Sequence, residues 1–213
     1  MKVLTLQNQT YFSSNIYLYQ KNNHVLIIDM GFFNDELIKN LDGYIIDGVI
    51  ITHKHFDHIQ GLENFQKHYP NVKIYSRLND MNYFNDPDVN CSYMSEGGKL
   101  FYLPKNLCHL NEFNNKIGIF NLNIIYTPGH TSDCISIIDD ESKVMFAGDF
   151  IFSKMIGRTD LKTGNMLMMF KSIDKIFPYI KNTNYMIYSG HDEKGFTSKE
   201  LLSDNVYFKR KNR

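Results

Sequence analysis

The feature that most constrains this chain is a run of ligand-type side chains directly after an apolar, β-branched segment. Residues 48–52 end in Thr52, and the chain continues as His53-Lys54-His55-Phe56-Asp57-His58. Two histidines two residues apart on extended backbone point to one side, and Asp57 and His58 begin the next predicted helix. Imidazole nitrogen and carboxylate oxygen together favour Zn, Fe or Mn over the all-oxygen sites of Mg or Ca. The segment therefore predicts a transition-metal site at a strand end.

Three further predicted strands end in a glycine followed by a ligand-type residue: Gly129-His130, Gly148-Asp149 and Gly190-His191. Glycine permits the tight turn that aims a side chain off a strand end into a shared cleft. Any one such residue is more often unliganded, but the context that they share predicts a two-metal site. The predicted ligands are His53, His55, Asp57, His58, His130, Asp149 and His191. His24, His68 and His109 lack this context and are interpreted as surface or core histidines.

Asp29 ends the predicted strand Val25–Ile28 and lies beside Gly31. Two interpretations stay open for this carboxylate. It either accepts a hydrogen bond from a metal-bound histidine and so orients that ring, or serves as a structural turn residue.

Alternating and apolar runs predict strands over Lys2–Leu6, Ile16–Tyr19, His24–Asp29, 48–52 and 72–75, with helices over about 34–41 and from Ile59 to Pro70. The second half is richer in predicted strands: Lys99–Leu103, Leu107–Phe113, Ile117–Tyr126, Cys134–Ile138, Lys143–Ala147 and Tyr185–Tyr188. A helix is predicted over Asn165–Phe177, and residues 79–98 are not assigned. Short strands in series with intervening helices favour a four-layer α/β sandwich. We expect one domain over residues 1–213.

Composition excludes several classes of protein. Lys+Arg and Asp+Glu both number 23, so nothing indicates a nucleic-acid partner. No run of ~18 apolar residues predicts a membrane span, and the N-terminal pattern is not that of a signal peptide, so we expect a cytoplasmic protein without a membrane partner. The three cysteines lack C-x-x-C spacing and are expected to be reduced. The basic run 209–213 is interpreted as a solvated tail.

The motif His53-x-His55-x-Asp57-His58, followed by His130, Asp149 and His191, resembles that of the metallo-β-lactamase superfamily. The resemblance implies an αββα sandwich. It also implies that His53, His55 and His130 bind one metal ion, that Asp57, His58 and His191 bind the other, and that Asp149 bridges both. Zn is the expected metal, with Fe or Mn as alternatives.

Within the superfamily, Pro128-Gly129-His130-Thr131 and Gly157-Arg158-Thr159-Asp160 resemble the short bacterial relatives of glyoxalase II. The resemblance implies that Arg158 contacts a substrate carboxylate, while an ion pair between Arg158 and Asp160 is the alternative. Ser132-Asp133-Cys134 and Ser189 depart from the family pattern without removing a ligand. Only 22 residues follow His191, so we expect small acyl substrates rather than glutathione thioesters specifically.

The resemblance and the ligand set predict a hydrolase in which a metal-bridging hydroxide attacks a thioester or ester carbonyl. Asp57 is predicted to orient this nucleophile as well as bind metal. The alternatives are a mononuclear iron persulfide dioxygenase, a metal-dependent nuclease and a non-catalytic metal-binding module. A β-lactamase is disfavoured, because that group usually lacks a bridge like Asp149. The oligomeric state is not predicted.

Overall fold

The computed structural model describes residues 1–7, 13–77, 84–95, 101, 104–192 and 194–212. The chain divides into two compact units. Unit 1 comprises Met1–Leu110 and Lys116–Asn121, and unit 2 comprises Asn111–Asn115 and Leu122–Arg213. Each unit has its own sheet and helices.

The sheet of unit 1 has six strands in the order β1-β2-β3-β4-β5-β6. These strands are β1 Lys2–Leu6, β2 Ile16–Lys21, β3 His24–Ile28, β4 Ile45–Ile50, β5 Ile74–Ser76 and β6 Leu107–His109. The first three pair antiparallel, and β3 to β6 pair parallel. Parallel strands buried on both faces read as continuous apolar runs, which explains Val25–Ile28 and the end of β4.

In the described part of unit 1 the α-helices are α1 Asp35–Leu41, α2 Phe56–Ile59 and α3 Leu62–His68. Asn34 caps α1, because its side chain accepts a hydrogen bond of 2.9 Å from the Leu37 amide. The connection from β4 to α2 is residues 51–55, so the histidine segment leaves the carboxyl end of a parallel strand. Ligand sites are commonly found at such strand ends.

The second sheet has the order β12-β11-β10-β9-β8-β7. Its strands are β7 Phe113–Ile117, β8 Phe120–Tyr126, β9 Ile135–Asp139, β10 Val144–Gly148, β11 Met186–Ser189 and β12 Phe196–Thr197. Strands β10 and β11 pair parallel, whereas the β8–β9, β9–β10 and β11–β12 pairs are antiparallel. The parallel pair brings the carboxyl ends of β10 and β11, which precede Asp149 and His191, to one edge.

The helices of unit 2 are α4 Met166–Asn182, α5 Ser198–Asp204 and α6 Val206–Lys211. Helix α4 buries Met169, Ile173 and Ile176 in a core cluster that also contains Leu201 of α5 and Phe208 of α6. A reciprocal capping box between Thr197 and Glu200 begins α5.

The prediction of mixed strands and helices is confirmed in its order, but several boundaries were wrong. The predicted strand Leu107–Phe113 is split between β6 and β7, and the predicted strand Ile117–Tyr126 is interrupted by the left-handed Gly118, at φ 54°. The helix predicted to end at Phe177 continues through Pro178 to Asn182. The predicted strand Lys99–Leu103 lies largely outside the described residues.

The interpretation of residues 209–213 as a tail was wrong for Lys209, Arg210 and Lys211. They form the last turn of α6, where cations favour the helix dipole. Lys211 also forms an ion pair with Asp174 of α4. Within the described parts of the chain, no helix combines the length and the apolar character needed to cross a membrane.

Candidate metal centre

The first ligand cluster consists of His53, His55, Asp57 and His58, all in unit 1. Nε2 of His53 lies 3.2 Å from Nδ1 of His55, and ligand atoms of His53 and His58 lie within 4.8 Å of each other. A tetrahedral ion with bonds of 2.0–2.1 Å would separate its ligand atoms by about 3.3 Å. The two histidines of the extended segment therefore present their nitrogens at the spacing that one ion requires.

Asp29 orients this cluster. Its carboxylate accepts hydrogen bonds from the Thr52 amide at 2.7 Å, from Thr52 Oγ1 at 2.8 Å and from His58 Nδ1 at 2.8 Å. Because a carboxylate accepts, Nδ1 of His58 carries the hydrogen and Nε2 keeps its lone pair for a metal. The backbone of Asp29 is left-handed, at φ 61°. Asp29 is thus both a turn residue and the partner of a predicted ligand.

Lys54 lies between the two histidines after the end of β4, in a segment where extended backbone sends successive side chains to opposite sides. The residue is only 2% exposed. Its Nζ donates a hydrogen bond of 2.9 Å to the carbonyl of Arg77 and lies 5.5 Å from the centre of the Phe84 ring. The ligand segment is therefore tied to the end of β5 by a buried cation.

Asp57 sits in the first turn of α2, with its Oδ2 3.8 Å from Nε2 of His58. Its backbone carbonyl accepts a hydrogen bond of 3.0 Å from the Ser14 amide. The side chain is more exposed than that of His58, which leaves its carboxylate accessible. Asp57 can therefore bind metal and still meet a solvent molecule.

The second ligand cluster consists of His130, Asp149 and His191, all in unit 2. Oδ2 of Asp149 lies 3.6 Å from Nε2 of His130 and 3.3 Å from Nε2 of His191. One carboxylate oxygen thus faces both imidazoles at ligand spacing. Gly148 has φ 51°, so the turn that aims Asp149 uses a backbone conformation that favours glycine.

A backbone carbonyl orients His130. Its Nδ1 lies 2.8 Å from the carbonyl oxygen of Arg158. Because a carbonyl only accepts, Nδ1 carries the hydrogen and Nε2 is available to a metal. Gly157 allows this approach, since a Cβ there would lie 1.9 Å from the Asp149 carbonyl oxygen and 3.0 Å from Cβ of His130.

His191 is the most accessible predicted ligand, with a side chain that is 39% exposed against 10% for Asp149. The amide of Gly190 donates a hydrogen bond of 2.9 Å to the carbonyl of Gly148, which ties the ends of β10 and β11 together. His191 therefore reaches Asp149 from a neighbouring strand end.

The guanidinium of Arg158 is held by Asp160. Its Nε and one terminal nitrogen each donate a bond of 2.7 Å to a different oxygen of Asp160. The hydrogen bond from Arg158 lowers the pKa of the exposed Asp160 carboxyl to about 2. The ion pair that the sequence left open is present, while substrate binding by Arg158 stays a prediction.

Cys134 is buried beside the turn that carries His130. Thr131 Oγ1 lies 3.0 Å from its sulfur and donates a bond of 2.6 Å to Asp133. Burial, followed by the nearby charge of Asp133, raises the pKa of the Cys134 thiol. This favours a small buried hydrophobe over a reactive thiol.

Apart from Asp29, the groups that orient the predicted ligands were not identified from the sequence. Thr52 was visible only as a strand end, and the carbonyl of Arg158 has no side-chain signature. Lys54 had one indirect signal, which was a cation placed between two residues predicted to face a metal. Such backbone and buried partners emerge from the three-dimensional fold.

Comparison with known proteins identifies the family. A sequence profile described as the Metallo-beta-lactamase superfamily matches residues 10–177. The chain belongs to the metallo-β-lactamase superfamily. The superfamily fold and the His and Asp clusters together indicate divalent metal ions.

Several relatives are named probable metallo-hydrolases. The protein YqgX of Bacillus subtilis is 30% identical over 183 residues, which covers 84% of this chain and 84% of the relative. A protein of Methanocaldococcus jannaschii is 34% identical over 190 residues, or 86% of this chain and 90% of the relative. A hydroxyacylglutathione hydrolase of Francisella tularensis is 26% identical over 164 residues, but the match spans only 56% of that enzyme.

Solved structures agree with the family assignment. The BLEG-1 B3 metallo-β-lactamase aligns with a TM-score of 0.83 and 28% identity over 97% of this chain and 98% of that chain. The protein TTHA1623, solved in a di-iron-bound form, aligns with a TM-score of 0.80 over 97% of this chain and 100% of that chain. Its sequence identity is 22%, so this likeness supports the fold alone. The predicted αββα sandwich is confirmed.

Proposed function

We propose that this protein is a two-metal hydrolase that cleaves a small thioester or ester. The observation that supports it best is the donor spacing within each ligand cluster. Imidazole nitrogens and carboxylate oxygens lie 3.2–3.8 Å apart in the pairs His53–His55, Asp57–His58, His130–Asp149 and His191–Asp149. Donors that share a Zn, Fe or Mn ion adopt such spacing. The relatives named as probable metallo-hydrolases support the same class of reaction.

The division of ligands follows the family resemblance. His53, His55 and His130 would hold one ion, Asp57, His58 and His191 the other, and Asp149 both. Zn is the proposed metal, since the donor set is nitrogen-rich and needs no redox chemistry for hydrolysis. When bound, the ions would lower the pKa of a coordinated water and polarise the substrate carbonyl.

The chain's own residues would prepare this chemistry. Asp29 and the carbonyl of Arg158 fix the tautomers of His58 and His130. Asp57 would accept a hydrogen from the attacking water at a carboxylate oxygen and so orient it. A thiolate leaves without a strong general acid, which favours thioesters among the candidate substrates. Arg158 would meet a substrate carboxylate only by releasing or sharing Asp160.

The proposal is tested by hydrolysis assays on protein prepared with a defined metal. The panel should contain S-lactoylglutathione, smaller acyl thioesters, aryl esters, lactones and a β-lactam. We expect two metal ions per chain and the highest kcat/KM on small thioesters. Asp57→Asn should lower kcat more than metal content, because it would remove the group that orients water. If kcat falls only in proportion to the metal content, Asp57 acts as a metal ligand and does not orient the water.

The rival functions give different results in the same assays. One iron per chain with oxygen consumption would favour the persulfide dioxygenase, and cleavage of RNA or DNA would favour a nuclease. Preferential hydrolysis of the β-lactam would favour a β-lactamase. A metal-loaded protein that hydrolyses no substrate of the panel, cleaves no nucleic acid and consumes no oxygen would favour a non-catalytic metal-binding module.

A further inference from the structure

His191 has the most room to turn among the predicted histidine ligands. Its side chain is 39% exposed, against 0% for His58 and 5% for His130. An exposed side chain changes rotamer within picoseconds to nanoseconds unless a neighbour holds it. A metal ligand needs a fixed direction, because the ion accepts its donors at set distances and angles. The groups that hold the His191 ring therefore affect metal binding.

The ring of Phe152 lies beside the ring of His191. The two ring centres are 6.5 Å apart, and the ring planes are inclined at 34°. Aromatic rings attract each other at centre distances of ~4.5–7 Å. Phe152 is also the third residue after Asp149, whose Oδ2 lies 3.3 Å from Nε2 of His191. One short segment thus carries both the carboxylate that faces His191 and an aromatic ring beside it.

Hydrogen bonds fix the loop that carries Phe152, which is called the 151–156 loop below. An antiparallel bridge joins Ile151 to Ile156, and the Phe152 amide donates a hydrogen bond of 2.9 Å to the carbonyl of Met155. The buried Asn205 donates from Nδ2 to the carbonyls of Phe152 and Met155, at 3.0 and 2.8 Å. Hydrogen bonds from a buried group are costly to break, so the loop keeps Phe152 in place.

Asp192, the residue after His191, is tied to the same loop. Its Oδ2 accepts a hydrogen bond of 2.9 Å from the Ser153 amide. A carboxylate acceptor makes this bond stronger than one between neutral groups. Residues 152–153 therefore hold residues 191–192 at two points, through the ring contact and through the bond between amide and carboxylate.

We propose that the 151–156 loop positions His191 for metal binding, with Phe152 and Asp192 as the positioning residues. Asp192 fixes the backbone from which His191 extends, and Phe152 limits the rotation of its ring. The proposal rests on the two-metal site proposed above but not on any substrate. Its test therefore measures metal affinity and ring motion instead of hydrolysis.

Titration of the metal-free full chain with Zn, read by competition with a chelating dye, tests the effect on metal affinity. We expect two binding steps for the native protein. Phe152→Leu and Asp192→Ala should each weaken one step about 10–100-fold and leave the other unchanged, since a group that orients one metal ligand has an effect of this size. Asp192→Asn should keep most of the native affinity, because its amide oxygen can still accept from Ser153.

Phe170→Leu is the matched control for Phe152→Leu. It also removes an aromatic contact of unit 2, in which the Phe170 ring lies 6.2 Å from that of Tyr207. Neither ring belongs to the predicted ligands or to the 151–156 loop, so both binding steps should stay native.

The motion of the His191 ring tests the proposal without metal. In carbon-13 relaxation measurements on the metal-free protein, the order parameter of this ring should fall in Phe152→Leu and Asp192→Ala and stay native in Asp192→Asn. Unchanged ring motion in the first two variants overturns the proposal. Equal weakening of both metal steps together with a lower melting temperature also overturns it, because that result marks a general loss of structure. A native protein with one metal step would contradict the two-metal site, and the ring motion would still decide the role of the loop.

Discussion

The two ligand clusters are built in opposite ways. The first comes from one segment of six residues, and its orienting group is the buried carboxylate of Asp29. The second gathers three residues from separate strand ends, and His130 is oriented by the backbone carbonyl of Arg158. A compact segment fixes its ligands through side-chain chemistry that mutation can remove. A dispersed cluster depends on backbone turns, so its sensitive positions are glycines.

The largest expected effect comes from Asp149→Ala. Its Oδ2 faces both His130 and His191 at ligand spacing, so its loss removes the donor shared by the second cluster. We expect activity to fall by more than the 10–100-fold that is typical when a group that only orients a metal ligand is removed. Metal content should fall with it, measured by inductively coupled plasma mass spectrometry. Asp174→Ala, which removes an exposed carboxylate of the same unit, should keep both activity and metal content. Equal losses in the two variants would contradict the role of Asp149 as a shared metal donor.

Gly157→Ala should be the most damaging change that removes no ligand. The new Cβ would lie 1.9 Å from the Asp149 carbonyl oxygen, and the backbone must shift to relieve that clash. We expect a stability loss of ~3 kcal/mol or more in denaturant unfolding, with loss of metal.

Gly43→Ala is the control for Gly157→Ala. Gly43 has φ 78°, and a Cβ added there would meet no other atom within 4 Å. The left-handed backbone alone should cost about 1–2 kcal/mol. Equal costs for the two variants would mean that the approach of Gly157 to Asp149 does not matter.

Asp29→Asn tests whether side-chain chemistry dominates the first cluster. The variant keeps the size and the tolerance of positive φ but loses the charge that holds His58 Nδ1–H. We expect metal affinity to fall about 10–100-fold, measured by competition with a chelating dye. Asp47→Asn is matched to it, because Asp47 lies 2.9 Å from Nδ1 of His24 outside both clusters. Reduced metal affinity in Asp47→Asn would point to a general effect of losing a buried carboxylate.

Lys54→Met should separate stability from metal binding in the first cluster. It removes a charged hydrogen bond to the Arg77 carbonyl and should cost about 1–3 kcal/mol in unfolding free energy. Metal affinity should change less than in Asp29→Asn, since Nζ of Lys54 donates to the Arg77 carbonyl. Lys181→Met, at an exposed lysine 5.7 Å from the Phe177 ring, should change stability little. A larger loss of metal than in Asp29→Asn would assign Lys54 a direct part in the site.

The smallest effect concerns Cys134 beside the second cluster. Burial raises the pKa of its thiol, so the folded state keeps the proton at pH values where an unfolded thiol loses it. This contribution to stability is complete below the unfolded pKa of about 8.5 and declines as pH rises above it. Peptide-resolved alkylation at pH 8 should therefore label the half-buried Cys108 before Cys134 in the native protein. Faster labelling of Cys134 would indicate that the turn after His130 opens.

The sequence was sufficient for the fold class, because strand-like runs ending in Gly and a ligand recur along the chain. It also named the seven side chains that the structure groups by unit into two clusters, whose metal binding stays a prediction. The hairpin turn at Gly118 was not predicted, since the apolar pattern continues through it from Ile117 to Phe120. Helix α6 was missed because its basic residues resemble a tail, whereas Phe208 packs into the core of unit 2.

The left-handed backbone at Asp29 also limits how this protein can evolve. A substitution there must tolerate φ near 61°, which outside glycine is easiest for Asp and Asn. Glutamate would keep the charge but strain the turn and displace the carboxylate from Thr52 and His58. Homologues that lose this carboxylate should therefore carry Asn or Gly at this position. We expect such homologues to keep the fold but to bind metal less tightly.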